Sequence, residues 1–447
     1  MITFCLNKTV AQGRLLLMAL VFLPAIALSV EIGPQDDIHA AVSALQPSDE
    51  LVLSGGEYFL NRAVVINLYG TADQPIVIRA KAGEIPVLRQ TDSGHFAIDI
   101  DGAAYIELQG LEIIGGRQGI RMREADYITV ADCHIHDTND VALAVNWTGT
   151  YTGLKLVRNH IHHTNHTGEG MYLGCNNDFC RVENSLIDSN YIHHTNGPTV
   201  TQGDGIELKE GSSGNVISNN VIHDTNYPGI LTYGTVGNGP PNIIEGNVIW
   251  NSNDNGMQVA ADAVVRNNII IGAPVAFQQH QAGSPSNLQF VNNTVIVLGT
   301  AINVRDVSGS VVIANNAVYS QSGSAINLIS GDLSQVTVTG NVGQGGLVGG
   351  SSGYSEGKGI ANDFVNGHFG GPPIDLFPRT GSALISAGDD SVTPQFDFND
   401  TPRQTPNDAG AYEFDPSGNP GWSISEEFKS VSVVTKTPQP PENLQAD

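Results

Sequence analysis

Asn159-His160-Ile161-His162, Asn190-Tyr191-Ile192-His193 and Asn220-Val221-Ile222-His223 are one segment written three times. Cys133-His134-Ile135-His136 precedes them and Asn247-Val248-Ile249-Trp250 follows. Fainter copies continue through Asn268-Ile269-Ile270, Asn293-Thr294-Val295, Asn316-Ala317-Val318 and Asn341-Val342, and Leu111-Glu112-Ile113 opens the series. Recurrence at roughly 20 to 31 residues is the period of solenoid coils, in which each repeat buries its apolar face against the next. Between the copies lie short runs such as Ile206-Glu207-Leu208-Lys209 and Met257-Gln258-Val259, where every second side chain is apolar. That alternation belongs to strands with one face inward, and the Asn, Gly and Thr between runs leave no stretch long enough for a helix. The expected fold is all-β, a single-stranded parallel β-helix with one coil per repeat.

Parallel stacking sets equivalent positions about 4.8 Å apart, so recurring residues form columns. The asparagines belong in a turn, each amide bonding to the next amide and to backbone. Cys133 takes the asparagine's place in its own coil and reads as a buried, unreactive thiol. His136, His162, His193 and His223 form a column ending at Trp250, and His163, His194, Asp137 and Asp224 occupy the next position. A metal site is one reading of so many imidazoles. Residues that recur with the repeat need no ligand to explain them, so hydrogen-bonded stacking is the preferred reading. Adjacent imidazoles resist simultaneous protonation, which makes the ladder sensitive to pH.

The ends of such a stack need cover. Asp36 to Leu45 spaces Ile38, Ala41, Val42 and Leu45 as a short amphipathic helix over the N-terminal end. The repeats fade after Val348, and Asp397 to Phe414 is expected to wrap the last coils with Tyr412 and Phe414. Lys8 and Arg14 before the apolar run Leu15 to Leu28, with Ala27-Leu28-Ser29 at its end, read as an export signal cleaved near Val30. Pro24 interrupts a run shorter than the roughly 20 apolar residues of a spanning helix, so no membrane anchor is expected after cleavage. The expected organisation is a signal peptide at 1–29, an N-terminal cap at 30–50, the β-helix with its C-terminal cap at 51–415, and a disordered or linker-like tail at 416–447 containing Pro438-Gln439-Pro440-Pro441. The destination is secreted or periplasmic, and the chain is expected to be a monomer. Export permits disulfides, and Cys175 and Cys180 flank a loop short enough to close. A formal charge of -25 without clustered Lys or Arg excludes nucleic acid as a partner.

Tyr105 to Gly116, the Asn-x-Ile-His coils and the ending Asp408-Ala409-Gly410-Ala411-Tyr412-Glu413 resemble the pectate-lyase-like superfamily of right-handed parallel β-helices, over most of residues 50–415. Within it, Glu207-Leu208-Lys209-Glu210-Gly211-Ser212-Ser213-Gly214-Asn215 is similar to the glutamate and lysine segment of the chondroitinase B and alginate lyase family. The resemblance implies a right-handed coil and a polysaccharide as partner. It also implies β-elimination on a uronate polymer.

Alternation points Ile206 and Leu208 inward and Glu207 and Lys209 outward. By the same register the neighbouring coils present Tyr172, Tyr233 and Gln258, with Arg121 and Arg123 toward the N-terminal end. Aromatic rings cover the apolar faces of sugars, and charged groups and amides bond hydroxyls and carboxylates, so these five are the expected substrate-binding residues. Elimination needs a base for the proton beside the carboxylate and a cation for the developing enolate charge. Lys209 is the candidate base, with Glu207 beside it in the catalytic pair. Calcium is the expected cofactor, held by Asp204, Glu207 and Glu210, and would neutralise carboxylates that otherwise keep the amine charged. Glu169, Asp204, Glu207 and Glu210 are alternatively members of a hydrolytic carboxylate pair. A non-catalytic carbohydrate-binding or surface β-helix is the remaining alternative.

Overall fold

The computed structural model describes residues 28–279 and 283–430. The expected signal peptide, residues 1–29, lies outside these residues but for its last two positions. Three strands make one coil, as in Ile206–Leu208, Val216–Ser218 and Val221–Thr225. Each pairs in parallel with its counterpart in the next coil, Ile230–Thr232, Asn242–Glu245 and Val248–Ser252. The long strands Ile98–Gln109 and Ile120–Ala131 run through two faces and join the first two ladders into one sheet of 23 strands. The third ladder is a separate sheet of 13 strands. Inward residues such as Ile206, Leu208, Ile217 and Ile222 are fully buried and form one core running the length of the coil.

The turn between the second and third faces is made by one residue per coil in the left-handed region, at Arg158, Ser189, Asn219, Asn267, Asn292 and Asn315. The next residue is the column asparagine. Asn190 shows its work: its Nδ2 donates to Leu156 O at 2.8 Å and to Asn220 Oδ1 at 2.9 Å, and its backbone N–H donates to the same Asn220 oxygen. The pattern repeats through Asn341, so the amide ladder is structural as expected. Cys133 is buried and free, with its thiol pushed up to about 12 by burial. Asp137, His163, His194, Asp224 and Asn251 end the third-face strands, again with positive φ. Asp, Asn and His tolerate that conformation better than most residues, which accounts for the mixed composition of this column.

At the N-terminal end the helix Ile38–Ser43 is capped by Asp37, whose carboxylate accepts from His39 N and Ala40 N. It buries Ile38 and Val42 over the first coil. Ser29–Ile32 already pairs with Glu50–Leu53, so the stack starts inside the segment expected to be only a cap, one residue before the expected cleavage point.

The C-terminal part departs from expectation in two ways. Repeats do end at Leu347–Val348 and Tyr354–Glu356, and Asp397 to Phe414 does pack on the later coils, where Asn292 donates to Asp408 O and Ala411 N donates to Thr294, but residues 360–424 as a whole run back along the outside of the third face. Phe364, Phe377, Phe398, Tyr412 and Trp422 pack on Val248, Trp250, Ile269, Ile271 and Tyr319. Residues 416–430, read as the beginning of a tail, belong to this cover. Trp422 and Ile424 are buried, and Lys429 Nζ donates to Phe398 O at 2.7 Å and to Gly246 O and Asn219 Oδ1 at 3.0 Å. The reason lies in the outward positions of the third face, where imidazoles prevail in the early coils and apolar side chains from Val248 onward. An apolar strip of that length needs cover. The proline run at 438–441 lies outside the described residues, among which no helix is long and apolar enough to cross a membrane.

Candidate active-site groove

The first face carries the expected polar cluster, and its register refines the expectation. Tyr172, Glu207, Leu231 and Gln258 stand opposite one another in successive coils. Leu231 therefore holds the place assigned to Tyr233, which lies two residues on, beside Lys209. On Lys209's other side is Gly174, where a Cβ would come within 3.1 Å of the lysine Cβ. The outward side chains are not solvated: Glu207 is 3% and Lys209 4% exposed. They lie in a groove of about 540 Å³ lined by Arg121, Glu169, Tyr172, Asp204, Tyr227, Tyr233 and Gln258.

Lys209 Nζ donates to Glu207 Oε1 at 2.6 Å and to Tyr233 Oη at 3.2 Å, and the Tyr233 hydroxyl donates to the same Glu207 oxygen at 3.1 Å. The amine also sits 5.0 Å from the Tyr172 ring centre and 4.6 Å from that of Tyr233. Burial, followed by the Glu207 charge, holds both tyrosine hydroxyls far above their usual range, so both stay protonated.

Glu169 and Asp204 complete a buried trio with Glu207, one oxygen of each lying within 4.8 Å of the others. Both oxygens of Asp204 and one each of Glu169 and Glu207 are buried without a hydrogen-bond partner. Burial pushes Glu169 up to about 7 and, with the Glu207 and Glu169 charges, holds Asp204 well above its ordinary range against the pull of Lys209. Three carboxylates facing one amine have two ways to relieve repulsion: hold a proton, or bind a cation that prefers oxygen. The proton has a measurable consequence. Glu169 binds it more tightly in the folded chain than the ordinary value of 4.5 allows, so this stabilisation is fully present below about pH 4.5 and lost as pH rises through 7. The shift corresponds to about 3 kcal/mol. Thermal unfolding in a chelator at stepped pH should show the melting temperature falling across that window, and calcium should reverse the fall near pH 7.

Glu169, expected only as a member of a hydrolytic pair, is the residue that joins Asp204 and Glu207. Its signal was present: Glu169-Gly170-Met171-Tyr172-Leu173 and Asp204-Gly205-Ile206-Glu207-Leu208 share one pattern in successive coils. The glycines are required because the chains approach closely; a Cβ on Gly170 would lie 2.7 Å from Gly205 O. Glu210 is not brought to the trio. It is buried against the neighbouring loop, where Oε1 accepts from Asn177 N at 3.3 Å. That loop is closed by the expected Cys175–Cys180 disulfide.

The two arginines part company. Arg121 lines the groove, stacks between Phe96 and Trp147 at 5.5 and 5.7 Å, and leaves its buried Nε without a partner. Arg123 is taken up by Asp99 and Asp101 at 2.5 and 2.9 Å and does not line the groove. Gln258 lines the far end, its Oε1 accepting from Asn255 and Gln278 at 3.3 Å. Trp147, 51% exposed, lies against both arginines and was not singled out by the repeat pattern.

A family model described as Pel9A-like, right handed beta helix region, matches residues 29–226, and one described as right handed beta helix region matches residues 183–342. Among solved structures, XylC in complex with xylose is similar with a TM-score of 0.56 at 11% identity, over 86% of this chain and 98% of that one. Pectate lyase Pel9A gives 0.48 at 15% identity, over 88% and 98%. An alginate lyase from Paenibacillus sp. str. FPU-7 gives 0.42 at 17%, over 74% and 98%. No protein among curated sequences matches. At such identities the structural likeness concerns the fold alone.

Proposed function

We propose that this chain, a member of the pectate-lyase-like superfamily of right-handed parallel β-helices, is an extracytoplasmic lyase that cleaves a uronate-containing polysaccharide by β-elimination. The observation that carries the reading is the buried Lys209 amine, held between two tyrosine rings and a carboxylate on the floor of a groove.

In this reading Lys209 Nζ takes the proton from the carbon beside the substrate carboxylate. The electron pair forms the new double bond as the adjoining bond to the glycosidic oxygen breaks, and the leaving oxygen takes the Tyr233 proton. The 3.2 Å contact between Lys209 and Tyr233 then returns a proton to the phenol and restores the amine. The amine must begin neutral, so Glu207 has to spend its charge elsewhere. The unpartnered oxygens of Glu169, Asp204 and Glu207 fit calcium, which would neutralise them and stabilise the substrate's developing enolate charge. Arg121 at the groove's end and Tyr172 under the sugar ring would orient the chain.

The test is a panel of alginate, pectate and glycosaminoglycans with calcium, followed by the ultraviolet absorbance of unsaturated uronate products. Absorbance rising on one of them is expected. Reducing ends without absorbance would replace elimination by hydrolysis, a reading favoured by one specific observation: Glu169, pushed up to about 7 by burial, is a proton-holding carboxyl beside two other carboxylates. Binding without either product would leave a carbohydrate-binding protein.

A further inference from the structure

The histidine ladder on the third face is a hydrogen-bonded stack, as its recurrence suggested, but one end of it does not balance. Neutral imidazole carries one donor and one acceptor, so every ring contact needs one of each. Most of the ladder satisfies this. His160 Nε2 meets His193 Nε2 at 2.8 Å and His193 Nδ1 meets His194 Nδ1 at 2.6 Å, which alternating tautomers accommodate. At His223, Nδ1–H donates to Asp224 at 2.7 Å, and the acceptor left at Nε2 receives the Tyr191 hydroxyl at 3.0 Å.

His136 has the same carboxylate on its Nδ1, Asp137 Oδ2 at 2.8 Å, and therefore the same acceptor at Nε2. What faces that lone pair is another acceptor, Glu112 Oε1 at 3.3 Å. Arg89, which feels the Glu112 charge, spends its guanidinium on Glu57 at 2.6 and 2.8 Å. Two further imidazoles converge here. His134 Nε2 and His162 Nε2 are 2.7 Å apart, and one ring nitrogen each of His134, His136 and His162 lies within 4.8 Å of the others.

We propose that His134, His136 and His162 hold a divalent transition-metal ion of the zinc class, with Glu112 at its edge. Three neutral imidazoles with a carboxylate nearby are the donor set for such an ion, and a tetrahedral ion places its nitrogens about 3.3 Å apart, within small ring movements of the observed geometry. Asp137 supplies the partner that metal-bound histidines have on their other nitrogen, fixing the tautomer and orienting the ring. The ion would clip the strands Glu112–Gly115, His134–His136 and His160–His162 of three successive coils, at the edge of the C-terminal cover, whose Phe428 packs on His160.

The experiment titrates chelator-stripped full-length protein with Zn2+ by calorimetry, with excess Ca2+ present so that the groove carboxylates do not compete. Co2+ is added in parallel for its visible absorption. One equivalent should bind, with the intense bands of a tetrahedral nitrogen-rich site. His136→Gln and His162→Gln should each abolish or weaken binding at least tenfold, and His223→Gln should leave it unchanged. Asp137→Asn retains a residue suited to the left-handed backbone and every metal ligand, and should still weaken affinity roughly tenfold or more. Absence of binding would overturn the proposal. So would Asp137→Asn or a folded His136→Gln protein that binds as the wild type does.

Discussion

Replacing Lys209 by alanine is expected to lower kcat on the uronate polymer by about 10²–10⁴-fold, with KM changed far less, because the amine is asked to move a proton and not to hold the chain. The decisive companion is Lys209→Arg. A guanidinium preserves the charge toward Glu207 and the contact with the Tyr172 and Tyr233 rings, yet does not become neutral in a protein. It should be as inactive as alanine while melting like the wild type. If arginine restores activity, Lys209 acts as an electrostatic group and another base must be sought. Initial rates of product absorbance, measured beside thermal unfolding of each variant, separate the two cases.

The largest expected loss of stability lies away from the groove, at Asn220→Leu. The substitution keeps the branching and heavy-atom count of the side chain while enlarging it, and removes four hydrogen bonds of 2.9–3.0 Å from a fully buried column. Asn190 N loses its acceptor outright, and the Asn190 amide, Ile187 O and Asn247 Oδ1 each lose one bond. Stranding buried polar groups in this way costs about 3–5 kcal/mol, readable as a lower midpoint of urea unfolding. By contrast, breaking the solvent-screened pair between Arg89 and Glu57 should barely move the midpoint. A change below about 1 kcal/mol at Asn220 would show that the ladder is carried by the strand backbone and not by its amides.

The coil, its asparagine turn and the buried place of Cys133 were legible because a period acts on every repeat alike. A residue that recurs every coil can only be stacked on itself, and alternation says which side chains point inward. The groove was legible in part by the same rule, which brought Tyr172, Glu207, Lys209 and Gln258 to one face. The rule failed wherever distance along the chain does not measure distance in space. Arg123 faces the groove by register and is lost to Asp99 and Asp101 one coil earlier. Glu210, next in sequence to the amine, turns to the disulfide loop, whereas Glu169, forty residues away, reaches Asp204 and Glu207.

The histidine and asparagine columns that mark the fold are thus settled by local pattern, since strand period and parallel stacking leave a repeated residue one place to go. How buried the groove is, which carboxylates share it, and where residues 360–430 lie depend on loops and cover from elsewhere in the chain. Those are long-range contacts, made by desolvating particular groups together, and no period in the sequence encodes them.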